Sequence, residues 1–315
     1  MMAAAVAATA GLVALGYNVV IGTTPAVPGA GAPSQAANPT GSTPTPSSSA
    51  PTAASSTPTP KPSTSRSTAA KQPDRSLKKN SLYKVDLGRS HASCAIKVRR
   101  PKPPLRDSAL APYLRTLVGC LTTTLSKPLA AEGITLTKPK VKTYTKSTNG
   151  PCGKLTPIGA PASYCGADGT IYWPLAGDDG SQAYTYARLG YLGNAAHEFG
   201  HHVQFASGIL SEYGERYYAT KSKPARYLLS RRLELQAQCF EGVLLASIGK
   251  SIKLSSQDRY ELQLWHALTG DEDPPAGRLP DHGSSAAQIR WLMRGLDSGD
   301  YGKCNTWSAS KSSVK

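Results

Sequence analysis

The stretch NAAHEFGHHVQF, residues 194–205, decides how the rest of the chain is read. The protein has six histidines in 315 residues, and three of them, His197, His201 and His202, fall in this one segment. The segment suits a helix, which places His197 and His201, four residues apart, on one face about a turn from each other. Two imidazoles so placed can hold one tetrahedral Zn²⁺. Glu198, beside the first of them, can reach a water in the open coordination position without ligating the metal itself. On that reading zinc lowers the pKa of the water towards about 7 and polarises a carbonyl, while Glu198 takes the proton and passes it to a leaving amine. The alternative is a set of histidines satisfied inside a polar core. His202 points about 100° away from His201 and is expected to pack or to support the ligands from behind.

A catalytic zinc normally takes three protein ligands. In LSRRLELQAQCFEGVLL, residues 229–245, Glu234 and Gln238 stand one turn apart and Glu241 lies a further turn along the same face. Leu233, Ala237, Phe240 and Leu244 form an apolar stripe beside this polar line, which turns Glu234 inward, where a carboxylate needs a metal or a partner. Glu234 is the expected third ligand and Glu241 the second choice. A salt bridge from Glu234 to Arg231 or Lys250 is the competing reading.

Outward from these two helices the chain reads as strands first and helices after, which indicates α+β. Leu82–Leu87 and Ala95–Val98 are short candidate strands, and PKPP at 101–104 breaks what precedes it. Asp107 can cap a helix whose apolar positions, Leu110, Leu114, Leu117, Val118, Leu121 and Leu125, draw a single face. Ile134–Tyr144 alternates as a half-exposed strand does, and Thr170–Trp173 is another strand, ended by Pro174. Helical periods then run over 194–206, 225–248 and 285–296.

The first 60 residues contain no charged side chain. Ala3–Gly22 is an uncharged run long enough to cross about 30 Å of hydrocarbon as a helix, so residues 1–22 are expected to be a signal peptide or a membrane anchor. Residues 23–80 are a Pro/Ser/Thr/Ala-rich linker, with ten prolines between Pro25 and Pro62, and bury too little apolar area to fold. Residues 81–315 make the folded domain. The expected location is the cell membrane, with the domain outside, or the secreted fraction.

Charge is uneven: residues 61–146 carry 19 basic and 4 acidic groups, whereas 147–315 carry 17 and 16. The half with the histidines is therefore neutral, which makes nucleic acid a poor partner. Lys78, Lys79, Lys84, Arg89, Lys97, Arg99, Arg100, Lys102 and Arg106 can instead face anionic wall polymers or lipid head groups, or simply keep the domain soluble. Six cysteines, none in CxxC spacing, argue for three disulfides in an exported chain. Cys152 and Cys165 close a short loop before a strand; order along the chain pairs Cys94 with Cys120 and Cys239 with Cys304, among fifteen connectivities.

HEFGHHVQ at 197–204 and ELQAQCF at 234–240 together resemble the bacterial neutral zinc metallopeptidases, gluzincin-like proteins marked by HE-x-GHHVQ and a later ELQADC. PCGKLTPIGAPASYCGADGTIYWP at 151–174 and DHGSSAAQIRWLMRGLDSGDYGKCNTW at 281–307 are similar to that family as well, so the likeness runs from Asp107 to Trp307. The resemblance implies a zincin-like fold and one zinc per chain. His197, His201 and Glu234 would be its ligands, Glu198 the general base and a peptide or protein the substrate. It also favours the Cys152–Cys165 pair. One position departs: Gln238 stands where the family has the Asp expected to orient a ligand histidine, and loss of such a partner typically costs about 10- to 100-fold in metal affinity or activity. A weakened or silent zinc-binding envelope module is therefore the alternative function, and a cell-surface structural protein a third. His282, in DHGSS, can cap the last helix or stabilise an oxyanion, and Tyr213, Tyr217 and Tyr218 offer further donors. Thr170–Trp173 is the expected rim strand for an extended substrate.

Overall fold

A computed structural model of the chain describes residues 72–89, 92–102, 108–157, 161–175, 183–272 and 280–315. The run Ala3–Gly22, nearly all of the linker, Arg106 and Asp107 lie outside the described residues. Among the described residues no helix is long and apolar enough to cross a membrane. Helices and two small sheets mix as the α+β expectation requires. In chain order the elements are α1 (Leu110–Ala131), β1 (Lys140–Tyr144), β2 (Thr148–Gly150), β3 (Gly153–Leu155), β4 (Ser163–Cys165), β5 (Thr170–Pro174), α2 (Gly190–Ala206), α3 (Ile209–Ala219), α4 (Lys223–Ser247), α5 (Ser256–Ala267) and α6 (Ser285–Ser298).

The leucine stripe of α1 is buried throughout, from Leu110 to Leu129, against α2 and β1. Its LTTTLS stretch is poor in helix formers, yet the hydroxyls of Thr122, Thr123 and Ser126 each donate to the carbonyl four residues back, which keeps them inside the helix. In the three-stranded sheet the order is β1-β5-β4, with β1 parallel and β4 antiparallel to β5; β2 and β3 form a separate hairpin. All five residues of β5 are buried. It is thus the interior strand and not the rim expected of Thr170–Trp173, as an apolar run without alternation should be. The outer positions belong to β1 and β4.

Two further strand expectations fail. Ser81–Lys84 is a 3₁₀ turn because the Asn80 side chain accepts from the Leu82 N–H and bends the chain there; only Asp86 pairs, bridging to Asp300. Ala95–Val98 joins no ladder. The alternation from Ile134 becomes strand only at Lys140, just past Pro139, which has no N–H to give a ladder.

The periodic stretches at 194–206, 225–248 and 285–296 are α2, α4 and α6, while α3 and α5 were not anticipated. Gly208, at φ 83°, breaks α2 from α3, and α5 opens on a capping box in which Ser255 and Asp258 satisfy each other's backbone N–H. α6 lies directly on α4: a Cβ at Gly295 would overlap the Cys239 carbonyl, and one at Gly242 the Leu292 carbonyl. Glycine at both positions is what lets the backbones approach.

The disulfides are Cys94–Cys120, Cys152–Cys165 and Cys239–Cys304, the pairs that loop length and chain order suggest. Lys78, Lys79, Lys84, Arg89, Lys97, Arg100 and Lys102 are exposed. Of these, Arg100 is engaged by Glu261 at 2.8 Å and Lys84 lies 3.9 Å from Glu132.

Candidate metal centre

α2 and α4 pack against each other and bring the two halves of the site together. From α2, His197 and His201 face one another with ring centres 4.9 Å apart. From α4, Glu234 reaches between them: its Oε2 is 3.4 Å from His197 Nε2 and 3.3 Å from His201 Nε2. The donor atoms of the three residues lie within 4.8 Å of one another. Glu234 is almost fully buried, yet its Oε2 accepts no hydrogen bond. An ionised oxygen left without a partner in the interior is costly, and with two imidazole nitrogens facing it, this donor set fits a divalent cation with nitrogen and oxygen ligands. Neither expected competitor takes Glu234: Arg231 donates to the carbonyls of Pro280 and Val314, and Glu241, the second-choice ligand, lies instead against His266.

The electrostatics follow from this crowding. Burial alone would raise the Glu234 carboxyl, but charge on His201 and His282 and the approach of both ligand imidazoles hold it well below the usual carboxylate range. Burial disfavours charge on His201; the Glu234 carboxylate outweighs it and lifts the ring to about 9. A metal bound there must displace that proton. Glu198 is buried beside the cluster, and burial, with repulsion from Glu234, pushes its carboxyl up against the pull of His201 and His197; the backbone amide of Tyr164 in β4 faces it.

His282, from the loop before α6, is brought into the site. Its Nε2 is 3.7 Å from Glu234 Oε2 and its Nδ1 is 2.7 Å from Asp281 Oδ1. Asp271 fixes the backbone beneath it, accepting the N–H of His282 at 2.6 Å and of Gly283 at 2.5 Å. Tyr217 is not brought in; it packs on Tyr213, Tyr218 and the Arg226 guanidinium. Tyr213 is the nearer tyrosine: burial first and then the Glu234 charge raise its phenol, whose hydroxyl meets Ser230 at 3.0 Å.

Of the two roles expected of His202 the structure shows packing, and Gln238 does not reach the ligand histidines. His202 bonds the Thr137 carbonyl through Nε2 at 2.7 Å and the Tyr164 hydroxyl through Nδ1 at 3.0 Å, so it fastens β4 to α2; burial lowers its pKa and keeps it neutral. The Gln238 amide donates to Glu241 at 2.7 Å and to His266 Nε2 at 3.0 Å, not to His197 or His201. The residue that meets a ligand histidine is Gln204, whose Oε1 is 2.8 Å from His201 Nδ1. It stands inside the quoted motif three residues after His201, a spacing that puts both on one helix face and could have marked it. Asp281, adjoining His282 in sequence, was equally visible.

The family model described as "Putative neutral zinc metallopeptidase" matches residues 79–307. Among curated proteins the chain is similar to the uncharacterised protein YpfJ of Escherichia coli K12, 34% identical over 224 residues that cover 66% of this chain and 74% of YpfJ. It is also similar to the uncharacterised protein Rv2575 of Mycobacterium tuberculosis, 29% identical over 198 residues that cover 55% of this chain and 64% of that protein. No solved structure matches the chain. With a match across most of its length and a cluster of two histidines and a glutamate at its centre, the chain belongs to the neutral zinc metallopeptidase family, and zinc is the metal that membership implies.

Proposed function

We propose that the chain is an exported or membrane-tethered zinc peptidase of zincin-like fold, with His197, His201 and Glu234 as ligands of one zinc and Glu198 as general base. The observation that carries this is the buried Glu234 Oε2, which accepts no aligned hydrogen bond and lies between two imidazole nitrogens, with a second carboxyl, Glu198, raised by burial beside it. Zinc supplies Lewis acidity, polarising the scissile carbonyl and lowering the pKa of a water. Glu198, whose carboxyl is pushed up by burial, accepts the proton of the attacking water and returns it to the leaving amine. His282, held at Nδ1 by Asp281, presents Nε2 to the centre and, carrying a proton there, donates to the developing oxyanion. An extended peptide adds to β4, since that strand flanks β5 and its Tyr164 amide faces Glu198. Three disulfides support an oxidising compartment.

The competing reading, a zinc module silenced by Gln238, is weakened because that amide serves Glu241 and His266 and does not touch the ligand histidines. Glu198→Gln separates the two. The substitution should lower peptide hydrolysis by about 10²- to 10⁴-fold while elemental analysis still finds one zinc per chain. Unchanged hydrolysis, or a wild-type chain without zinc, would remove the peptidase reading.

A further inference from the structure

We propose that Gln204 is a positioning residue for the metal centre, setting which nitrogen of His201 faces the ion through a relay of buried amides that ends on Tyr83, Trp307 and Cys304. The inference rests on the zinc reading above. Its direction can be worked out from chemistry alone. The Gln204 Nε2 is 2.9 Å from the Leu233 carbonyl, which can only accept, so the NH₂ end must point there. Its other proton goes to Gln236 Oε1 at 3.1 Å. The Gln204 oxygen therefore faces His201, and because an amide oxygen cannot donate, the Nδ1 of His201 carries the proton of that 2.8 Å bond. The remaining nitrogen, Nε2, is the one turned to Glu234.

Gln236 is held just as firmly. Its Oε1 also accepts from the indole of Trp307, a donor only, at 3.3 Å, and its Nε2 donates to the Tyr83 hydroxyl at 2.9 Å and the Cys304 carbonyl at 3.2 Å. All four hydrogen-bonding positions of the Gln236 amide are filled, and both glutamines are fully buried. Turning either amide over would set carbonyl against carbonyl in the interior, where no water can repair the mismatch. The orientation of His201 is thus fixed, through Gln236 of α4, from the Cys304 carbonyl, the Tyr83 hydroxyl and the Trp307 indole. A neutral amide acceptor behind a ligand imidazole fixes its tautomer and ring angle, the service that outer residues commonly perform at zinc.

The test uses the full oxidised chain and two substitutions at one position. Gln204→Met removes the acceptor for His201 and the donors to Leu233 and Gln236, whereas Gln204→Glu keeps an oxygen facing His201 but sets its second oxygen against the Leu233 carbonyl and Gln236 Oε1. Both should lower the unfolding temperature. Zinc affinity, measured by competition with a chelator, should fall 10- to 100-fold in Gln204→Met and stay within about threefold of wild type in Gln204→Glu. Equal zinc affinities in the two variants overturn the proposal. A second measurement needs no variant: nitrogen-resolved NMR of the zinc-loaded wild type should show His201 protonated at Nδ1 and metal-bound at Nε2, and the reverse assignment overturns it. A wild type that takes up no zinc removes the peptidase reading together with this one, while a zinc-binding wild type with indistinguishable variants removes this one alone.

Discussion

At position 238 the amide meets a carboxylate on one side and an imidazole on the other, and that environment decides what a substitution does there. Gln238→Glu keeps length and volume but replaces a donor with an acceptor beside Glu241, which is fully buried. Two carboxyl groups at that separation cannot both ionise, so the pair takes up a proton and its pKa in the folded state rises. A raised pKa favours the folded state at low pH and loses that advantage as pH rises. The variant should therefore unfold at a lower temperature than wild type at pH 8, recover most of the gap at pH 5, and bind zinc as wild type does. A gain in zinc affinity instead would return Gln238 to the histidine pair. The same contrast shows what a single sequence can say of a residue. His197, Glu198 and His201 are readable because their spacing lies within two turns of one helix, and Glu234 because the apolar stripe of its own helix turns it inward. Gln238 is not, because its partner His266 comes from another helix, 28 residues on, and no local pattern announces that packing.

Elements repeat the lesson. The leucine stripe of α1 and the periods of α2, α4 and α6 were legible because burial on one face imposes a period. α5 was missed because its inward face is narrow: Leu262, Trp265 and His266 are buried while Tyr260, Leu264 and Leu268 stay exposed. What holds its start is electrostatic. Asp258 caps the helix with Ser255 and receives Arg188 through two guanidinium nitrogens at 2.5 and 2.8 Å. Burial works against the Asp258 charge, but Arg188 and Ser255 outweigh it and hold its carboxyl below its ordinary range. A carboxyl depressed on folding stabilises the fold above its unfolded pKa, and that contribution disappears as pH falls through the lower, folded value. Asp258→Ala should cost about 1–3 kcal/mol near neutrality, and the decline of wild-type stability below about pH 4 should be shallower in the variant. Parallel acid limbs in urea titrations of the two proteins would show that the charge plays no part.

For the whole molecule, composition separates a charge-free stretch of 60 residues from a basic segment and a neutral half that holds the histidine cluster. The structure adds that Lys78, Lys79, Arg89, Lys97 and Lys102 are exposed. On the exported reading these residues would either meet anionic envelope polymers or lipid head groups, each worth about 1 kcal/mol near such a surface, or keep the domain soluble. Changing all five to Ser should release the protein from envelope fractions at physiological salt while zinc content and hydrolysis persist; undiminished association would assign the charge to solubility alone. The Cys239–Cys304 bridge has a wider consequence. It fastens to α4 the Cys304 carbonyl on which the amide chain from His201 ends, so on the relay proposed above the grip on zinc would depend on a covalent bond that a reducing cytoplasm does not allow to form. On the proposed exported reading, oxidation would act as a clock: a newly made chain would hold zinc loosely until this bridge closed outside the cytoplasm.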